Sequence, residues 1–572
     1  MGLKVALAQI NPTVGDFAGN AKLIVESCRQ ARGAGADLVA VGEMALTGYP
    51  VEDLALRRDF QRASEDALLR LAGALSEGGL GQLTVVVGYL GEAVGGAQLG
   101  TNSGAVIQGG EITTRYDKHH LPNYGVFDEH RYFEAGQSAC VFEVAGAKVA
   151  LAICEDIWQD GGTLELIAAQ GEELDLLLVI NGSPFESGKW QTRVDLAAKH
   201  ALAFGCHVAY VNLVGGQDEL VFDGASFVVD KKGTPLAVAP AFEPTLLTFD
   251  LDEPSGEAHS PETDATESIY RALVLATRDY VQKNSFESAL VGLSGGIDSA
   301  LTATIACDAL GANHVFGVSM PGPYSSEHSI SDAKELAHRT KLHLRQVSIE
   351  QPLESFRAAI TREQGQSLVN GVVEENLQAR IRGTTLMAIS NAEGQLVLAT
   401  GNKSELATGY STLYGDAVGA FAPLKDVLKT TVWQLAKWRN TAAGQASVAK
   451  MMRDWGAIHE IVASPIPEGS ITKEPSAELR PGQLDSDSLP DYEALDEVLG
   501  AYIEGDGPAT ESQSPASQPL DPVEIARVIA MTDRAEHKRR QYPPGPKIGS
   551  RAFGRDRRRP ITNKFVTTKQ QT

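Results

Sequence analysis

The chain has 572 residues, 43% of them hydrophobic and 22% charged, enough for at least two substantial cores. Its formal net charge of -23 argues against nucleic acid as the main partner, which would need a basic face. No apolar run reaches the roughly 18 residues of a membrane span, and Lys4 opens an alternating strand where a secretory signal would be apolar. Cys28, Cys140, Cys154, Cys206 and Cys307 have no CxxC spacing, which argues against a zinc site or a disulfide framework and predicts a reducing, cytoplasmic setting.

Over roughly the first 250 residues, short Val/Leu/Ile/Ala runs alternate with helical stretches, as in a layered α/β domain. The expected strands are 4–9, 36–41, 83–89, 148–153, 174–180 and 206–213. Between the first two lies a helix over 20–33, with Asn20 as N-cap and Gly33 as its end. The polar stretch 252–264 (DEPSGEAHSPETD) has linker composition and divides the chain into domains 1–251 and 265–572.

After the linker, residues 266–282 read as an amphipathic helix with Ile269, Leu273, Ala276 and Tyr280 along one side. Strand-loop-helix units follow from strands 289–293, 315–319, 342–348 and 395–399, which predicts a doubly wound parallel sheet with ligands at its carboxyl ends. The stretch 504–518 is rich in Gly, Pro, Ser and acid and reads as a loop. The acidic body ends in a basic segment running from His537 and Lys538 to Arg559.

Glu43, Lys118 and Cys154 each follow a run expected to be an apolar strand. A cysteine at a strand exit places its sulfur where backbone N–H groups of the next turn can face an oxyanion. A thiol attacks as thiolate, so it needs a base or a cation nearby. Glu43 suits the base, and Lys118 suits a cation that lowers the thiol pKa and holds the tetrahedral oxygen. The plain alternatives are an inert core cysteine and solvated surface charges. Together, GEMALTGYP, YDKHHLPNYGVFDEHRYF and LAICEDIW resemble the three motif blocks of the nitrilase superfamily, in order and spacing. The resemblance implies an αββα sandwich, a Glu43–Lys118–Cys154 triad and Glu129 as a second carboxylate beside the lysine. It also implies Tyr124, Ser183 and Lys189 as contacts to L-glutamine.

The second signature is Gly292, Leu293, Ser294, Gly295, Gly296, Ile297, Asp298 and Ser299, between an apolar strand and an apolar helix. Glycines permit close backbone approach, and a helix N-terminus offers N–H groups and positive partial charge to phosphate. Asp298 stands where a Walker loop would carry lysine, and an acid beside phosphate needs a cation, which points to Mg²⁺. A lone SGG would be no more than a capped glycine turn. SGGIDS in this context resembles the ATP pyrophosphatase loop of adenylating amide-forming enzymes.

Farther on, ENLQARIR from Glu375, ATGNKSE from Ala399, Tyr414-Gly415-Asp416, PSAELRP from Pro475 and EHKRR from Glu536 resemble blocks of NAD⁺ synthetase. With the nitrilase-like half, the whole chain resembles the glutamine-dependent, single-chain form of that family. The resemblance implies Thr400, Lys429 and Ser476 at ATP and Glu405 with Asp298 at Mg²⁺. It implies Asn376, Arg380, Glu405, His537 and Lys538 at deamido-NAD⁺, and a homo-oligomer, with an octamer among the assemblies it allows. Leu413 and Ala420 depart from the polar substrate contacts of ammonia-only members. The implied reaction is amidation of deamido-NAD⁺ through an adenylate, with ammonia from glutamine carried along a shielded path, without nucleic acid or membrane. Two rivals are an RNA-modifying adenylating enzyme, to which the basic tail would belong, and a nitrilase-like scaffold in which Cys154 is inert.

Overall fold

A computed structural model describes residues 2–93, 98–252, 264–360, 367–457, 459–505 and 520–564. The chain divides into two compact units, Met1–Ala265 and Thr266–Thr572. Most of the expected linker and most of the expected 504–518 loop lie outside the described residues.

In the first unit, two six-stranded sheets share one plan. One runs in space as Thr245–Asp250, Lys4–Gln9, Leu38–Val41, Thr84–Gly91, Thr101–Gln108 and Glu111–Asp117. The other runs as Pro235–Val238, Phe227–Val229, His207–Asn212, Leu176–Asn181, Ala147–Ile153 and Cys140–Val144. Each has three consecutive parallel strands flanked by antiparallel ones. Alternate residues build two cores. Val5, Leu7, Leu38 and Val86 join Val149, Leu151, Ile153 and Leu178 between the sheets. The intervening Ala6, Val39, Val41 and Val87 pack against Ile24, Cys28, Leu68 and Leu71 of helices Phe17–Gly33 and Arg58–Glu77. Helices Gly162–Gln170 and Lys189–Phe204 pack on the second sheet, completing the αββα layering. Burial on both faces explains the uninterrupted apolar runs.

Two local expectations are corrected. The first helix begins at Phe17, capped by Asp16, whose side chain accepts the Gly19 N–H at 2.9 Å. Asn20 lies inside it, buried, and its amide donates to the carbonyls of Thr13 and Leu46 at 2.8 and 3.1 Å. A short polar side chain serves equally as cap or as loop anchor, and only tertiary packing separates the two. Second, the strand before Lys118 is not apolar. Glu111–Asp117 is an edge strand with alternating exposure, and together with Thr101–Gln108 it went unpredicted because its sequence is polar.

The second unit carries a four-stranded parallel sheet in the order His343–Gln346, Val315–Ser319, Ala289–Gly292 and Leu396–Leu398. Helices Ile297–Leu310, Glu327–Thr340 and Val372–Glu393 connect or flank these strands. The strand order reverses between Ala289–Gly292 and Leu396–Leu398, the place where such sheets open a crevice. The helix Ala265–Lys283 is buried around most of its circumference, including Tyr270, Ala272, Leu273, Val274, Leu275 and Ala276, and so is not the one-sided helix expected. A separate apolar cluster packs Tyr492–Glu504 and Pro522–Arg534 onto Lys403–Thr408 through Leu495, Leu499, Val528 and Leu406. Among the described residues no helix is long and apolar enough to cross a membrane.

Candidate active sites

In the first unit the three expected residues come from three strand ends. Glu43 follows Leu38–Val41, Lys118 follows Glu111–Asp117, and Cys154 follows Ala147–Ile153. The Lys118 ammonium donates to Glu43 Oε1 at 2.7 Å and to Glu129 Oε2 at 2.8 Å, with all three side chains almost wholly buried. Two carboxylates and one ammonium out of water are tolerable only when their remaining valences are also filled. Asn102 Nδ2 donates to Glu43 Oε1 at 2.7 Å, the Gly182 N–H to Glu43 Oε2 at 2.8 Å, and the Tyr49 hydroxyl to Glu129 Oε1 at 2.8 Å. Sequence reasoning did not reach Asn102 and Tyr49. Asn102 carries no motif signal, whereas Tyr49 lies within the GEMALTGYP block, which by itself gave it no role.

Burial pulls the Lys118 ammonium down, but Glu129 and Glu43 outweigh it and hold it well above its ordinary range. Burial pushes Glu129 up to about 7, with Lys118 opposing and Glu43 adding to the rise. Lys118 pulls the Cys154 thiol pKa down, as expected, but does not set the net shift. Burial and then the Glu43 carboxylate push it well above its ordinary value, and the pull of Lys118 loses. The resting sulfur therefore keeps its proton, and its attack requires a base at the moment of reaction. Cys154 opens the short turn Cys154–Ile157 with φ of 45°, a backbone state that costs a non-glycine residue about 1–3 kcal/mol and clusters at reactive sites.

The expected glutamine contacts lie in the same unit. Tyr124 is half exposed, and its hydroxyl reaches Glu155 Oε2 at 2.9 Å, beside Cys154. The Ser183 N–H donates to Asn212 Oδ1 at 2.9 Å, and its hydroxyl accepts from Arg193 Nε at 3.2 Å. Arg193 is itself buried against Asp223, at 2.8 and 2.9 Å. Lys189 begins the helix Lys189–Phe204, and burial and the neighbouring Arg193 push its ammonium down. The other four cysteines are buried free thiols, as expected of core residues.

In the second unit a cavity of about 430 Å³ opens at the strand-order reversal. Gly292, Leu293, Ser294, Gly296, Ile297, Asp298 and Ser299 line it, as do Thr400, Lys429, Ser476, Asn376, Glu405 and Lys538. Gly295 lies behind the lining at φ of +84°, where a Cβ would sit 2.2 Å from the Ser329 carbonyl oxygen, so only glycine fits. The helix Ile297–Leu310 has Gly296 as its cap residue and no side-chain cap, leaving its first N–H groups to the cavity. Ser294 and Ser299 hydroxyls lie 3.1 Å apart, and Ser294 Oγ accepts the Gly296 N–H at 3.2 Å, which shapes the loop.

Asp298 Oδ1 accepts from Asn402 Nδ2 at 2.9 Å, Asp298 Oδ2 pairs with the Lys429 ammonium, and Lys429 lies 3.7 Å from Glu405 Oε1. Burial, then the Asp298 charge, push Glu405 up to about 8 against the pull of Lys429. Two hard oxygen donors short of positive charge suit a divalent cation that takes its other ligands from bound phosphate. Among the described residues no group of three or more His, Cys, Asp or Glu side chains could hold a metal ion.

Not every expected contact reaches the cavity. Arg380 is exposed and donates to the Leu413 carbonyl at 3.2 Å, while His537 is exposed and bonded to the Arg534 carbonyl at 3.0 Å. Neither belongs to the lining, nor do Leu413 and Ala420. Lys538 does, and its ammonium ties the carbonyls of Gly409 and Ser411 at 2.7 and 2.6 Å. The tail is not a free basic face. Arg539 and Arg540 pair with Glu536, Arg559 with Asp533 and Lys547 with Asp556, while Arg557 lies over the Tyr502 ring. This spends part of the charge on which the RNA rival would rely.

Carbon-nitrogen hydrolase is the family description that matches residues 4–259, and NAD synthase matches residues 269–542. The chain is 43% identical over 565 residues to a glutamine-dependent NAD(+) synthetase of Acinetobacter baylyi, covering 98% of each. It is 41% identical to the one of Thermotoga maritima, covering 98% of this chain and 99% of that one. Among solved structures it resembles glutamine-dependent NAD+ synthetase from Acinetobacter baumannii in complex with ADP, with TM-score 0.74, 40% identity and coverage of 98% and 99%. The enzyme of Cytophaga hutchinsonii shares the fold, with TM-score 0.76 at 20% identity and 98% coverage of each chain. With a thiol–carboxylate–ammonium cluster in one unit and an uncapped nucleotide loop in the other, matched over nearly its full length, the chain belongs to the glutamine-dependent NAD⁺ synthetase family of ligases.

Proposed function

We propose that the chain amidates deamido-NAD⁺ to NAD⁺, taking nitrogen from glutamine and driving force from ATP. The observation that carries this is the buried Lys118 held between Glu43 and Glu129 beside Cys154, in a chain whose second unit presents bare helix N–H groups to a cavity. Family membership and the ADP held by the Acinetobacter baumannii relative support it.

In the first unit Glu43 takes the Cys154 proton as sulfur attacks the glutamine side-chain amide carbon. Lys118 steadies the negative charge on the former carbonyl oxygen. Glu43 returns the proton to departing ammonia, leaving a glutamyl thioester. Glu43 then draws a proton from water, which releases glutamate and restores the thiol. Glu129 and Tyr49 keep Lys118 charged and in place, and Tyr124, Ser183 and Lys189 hold the substrate.

In the second unit the nicotinate carboxylate of deamido-NAD⁺ attacks the ATP α-phosphate, and pyrophosphate leaves onto the Ser294–Ser299 loop. Ammonia then attacks the adenylated carboxyl carbon and expels AMP. Thr400, Lys429 and Ser476 contact the nucleotide, and Asn376 and Lys538 meet the dinucleotide from the cavity. Arg380 and His537 reach it from outside the lining. Asp298 and Glu405 would hold Mg²⁺, which supplies positive charge against the phosphates. Ammonia attacks only unprotonated, so its passage between the chemistries is shielded from bulk water. Five free thiols suit a reducing cytoplasm, and the family resemblance points to a homo-oligomer, read by sedimentation.

The test is NAD⁺ formation from deamido-NAD⁺, ATP and glutamine, with AMP, pyrophosphate and glutamate expected in equal amounts. Absence of NAD⁺ with both glutamine and ammonium salts would overturn the assignment.

A further inference from the structure

Asp156 lies two residues after Cys154, wholly buried, and its carboxylate accepts four hydrogen bonds. The Ile153 N–H reaches Oδ2 at 2.9 Å and the Tyr116 hydroxyl reaches the same oxygen at 2.6 Å. The N–H groups of His119 and His120 reach Oδ1 at 3.0 and 2.9 Å. These donors belong to two chain segments. Ile153 directly precedes the nucleophile, while Tyr116, His119 and His120 bracket Lys118.

Besides Asp156, the one directed side-chain link between the two segments among the described residues is the Tyr124 hydroxyl on Glu155 Oε2 at 2.9 Å, near the half-exposed end of the loop. Lys118 leaves the edge strand Glu111–Asp117 of one sheet, and Cys154 leaves Ala147–Ile153 of the other, so no strand ladder joins them. Side-chain packing between sheets is non-directional, whereas four directed bonds to one carboxylate fix both distance and angle of approach. The same carboxylate holds the turn in which Cys154 adopts its left-handed backbone.

We propose that Asp156 is a positioning residue of the glutaminase chemistry, which bolts the Cys154 turn to the Lys118 segment and so sets the sulfur against the ammonium that receives the developing oxyanion. The proposal rests on the glutaminase reading above. Asp156 touches no reacting atom. It acts through the placement of two groups that do, where a displacement of about 1 Å can cost about a hundredfold in rate.

The experiment compares Asp156→Asn, Tyr116→Phe and the wild-type protein in full-length form. Asn keeps the side-chain size but turns one acceptor oxygen into an NH₂ that can only donate, facing donors. Three quantities are measured: kcat and KM for glutamate release, the fraction of Cys154 titrated by a glutamine-analogue chloroketone, and NAD⁺ formation from ammonium salts. Asp156→Asn is expected to lower kcat per titrated thiol by about a hundredfold, with KM within threefold of wild type and ammonium-driven synthesis retained. A loss confined to the titratable fraction, with kcat per titrated thiol within tenfold of wild type, would show a merely structural residue and overturn the proposal. So would a rise in KM with kcat intact. If Asp156→Asn yields no ammonium-driven turnover, Tyr116→Phe decides, because it removes one bond of four. A fall of threefold or more in kcat per titrated thiol then supports the proposal, and a smaller one overturns it. Wild-type protein that releases no glutamate would defeat the glutaminase reading itself, a different outcome from an active wild type with an unimpaired Asp156→Asn.

Discussion

The two sites treat buried charge in opposite ways. In the first unit each charge meets its partner before any substrate arrives. Lys118 is enclosed by Glu43 and Glu129, and those carboxylates are closed off by Asn102, Gly182 and Tyr49. In the second unit the cavity of about 430 Å³ is lined by the start of the helix Ile297–Leu310, which has no side-chain cap, and its acids Asp298 and Glu405 rely on Lys429 as counterion. Attack on a neutral amide creates charge inside the site, so the dipoles that stabilise it are useful only if fixed in advance. A nucleotide brings its own charge, so the receiving site needs room and unspent donors. On the proposed reading, covalent chemistry uses the filled network and phosphate binding the unfilled one.

The sharpest break of this contrast is Cys154→Ala. It should lower glutamine-driven NAD⁺ formation by about 10⁴-fold or more, in line with loss of a covalent nucleophile. Synthesis from ammonium salts should persist, and its loss in folded protein would mean the two networks are not separate. Asp298→Ala comes next and removes an acid from the unfilled site. Synthesis with either nitrogen source should fall about 10²–10³-fold, while glutamate release continues. Unchanged synthesis would leave Asp298 as a helix-start residue only.

A smaller effect concerns coupling. Unused ammonia is wasted, so glutamate release should quicken about 5- to 150-fold when ATP and deamido-NAD⁺ are both supplied, the usual range of coupling free energies. Equal rates with and without them would sink that expectation. Tracing amide-labelled glutamine in excess unlabelled ammonium would test the shielded passage, which complete dilution of label into NAD⁺ would rule out.

The smallest effect reads the filled network through pH. Glu129 is raised to about 7 from an ordinary 4.5, so the folded state binds its proton more tightly than the unfolded chain. The stability it adds is fully present below about pH 4.5 and is lost as pH rises through about 7. Glu129→Gln should flatten the decline of Tm across that interval, measured by thermal unfolding at each pH. An unaltered slope would show that Glu129 stays ionised throughout.

Sequence alone singled out several of the residues proposed to meet substrate, because they interrupt a pattern. Glu43 and Cys154 end apolar runs, and Gly295 and Gly296 stand between a strand and a helix that would otherwise be continuous hydrophobic segments. Tertiary structure decided how those residues behave. The Cys154 thiol is pushed up, not down, because burial and Glu43 outweigh Lys118, a balance of distances that no motif encodes. Asn102, Tyr49 and Asp156 acquire their roles only when folding brings distant segments together. The tail that reads as a basic patch spends Arg539, Arg557 and Arg559 on Glu536, Tyr502 and Asp533, because a charge in a sequence has no partner until the chain folds around it.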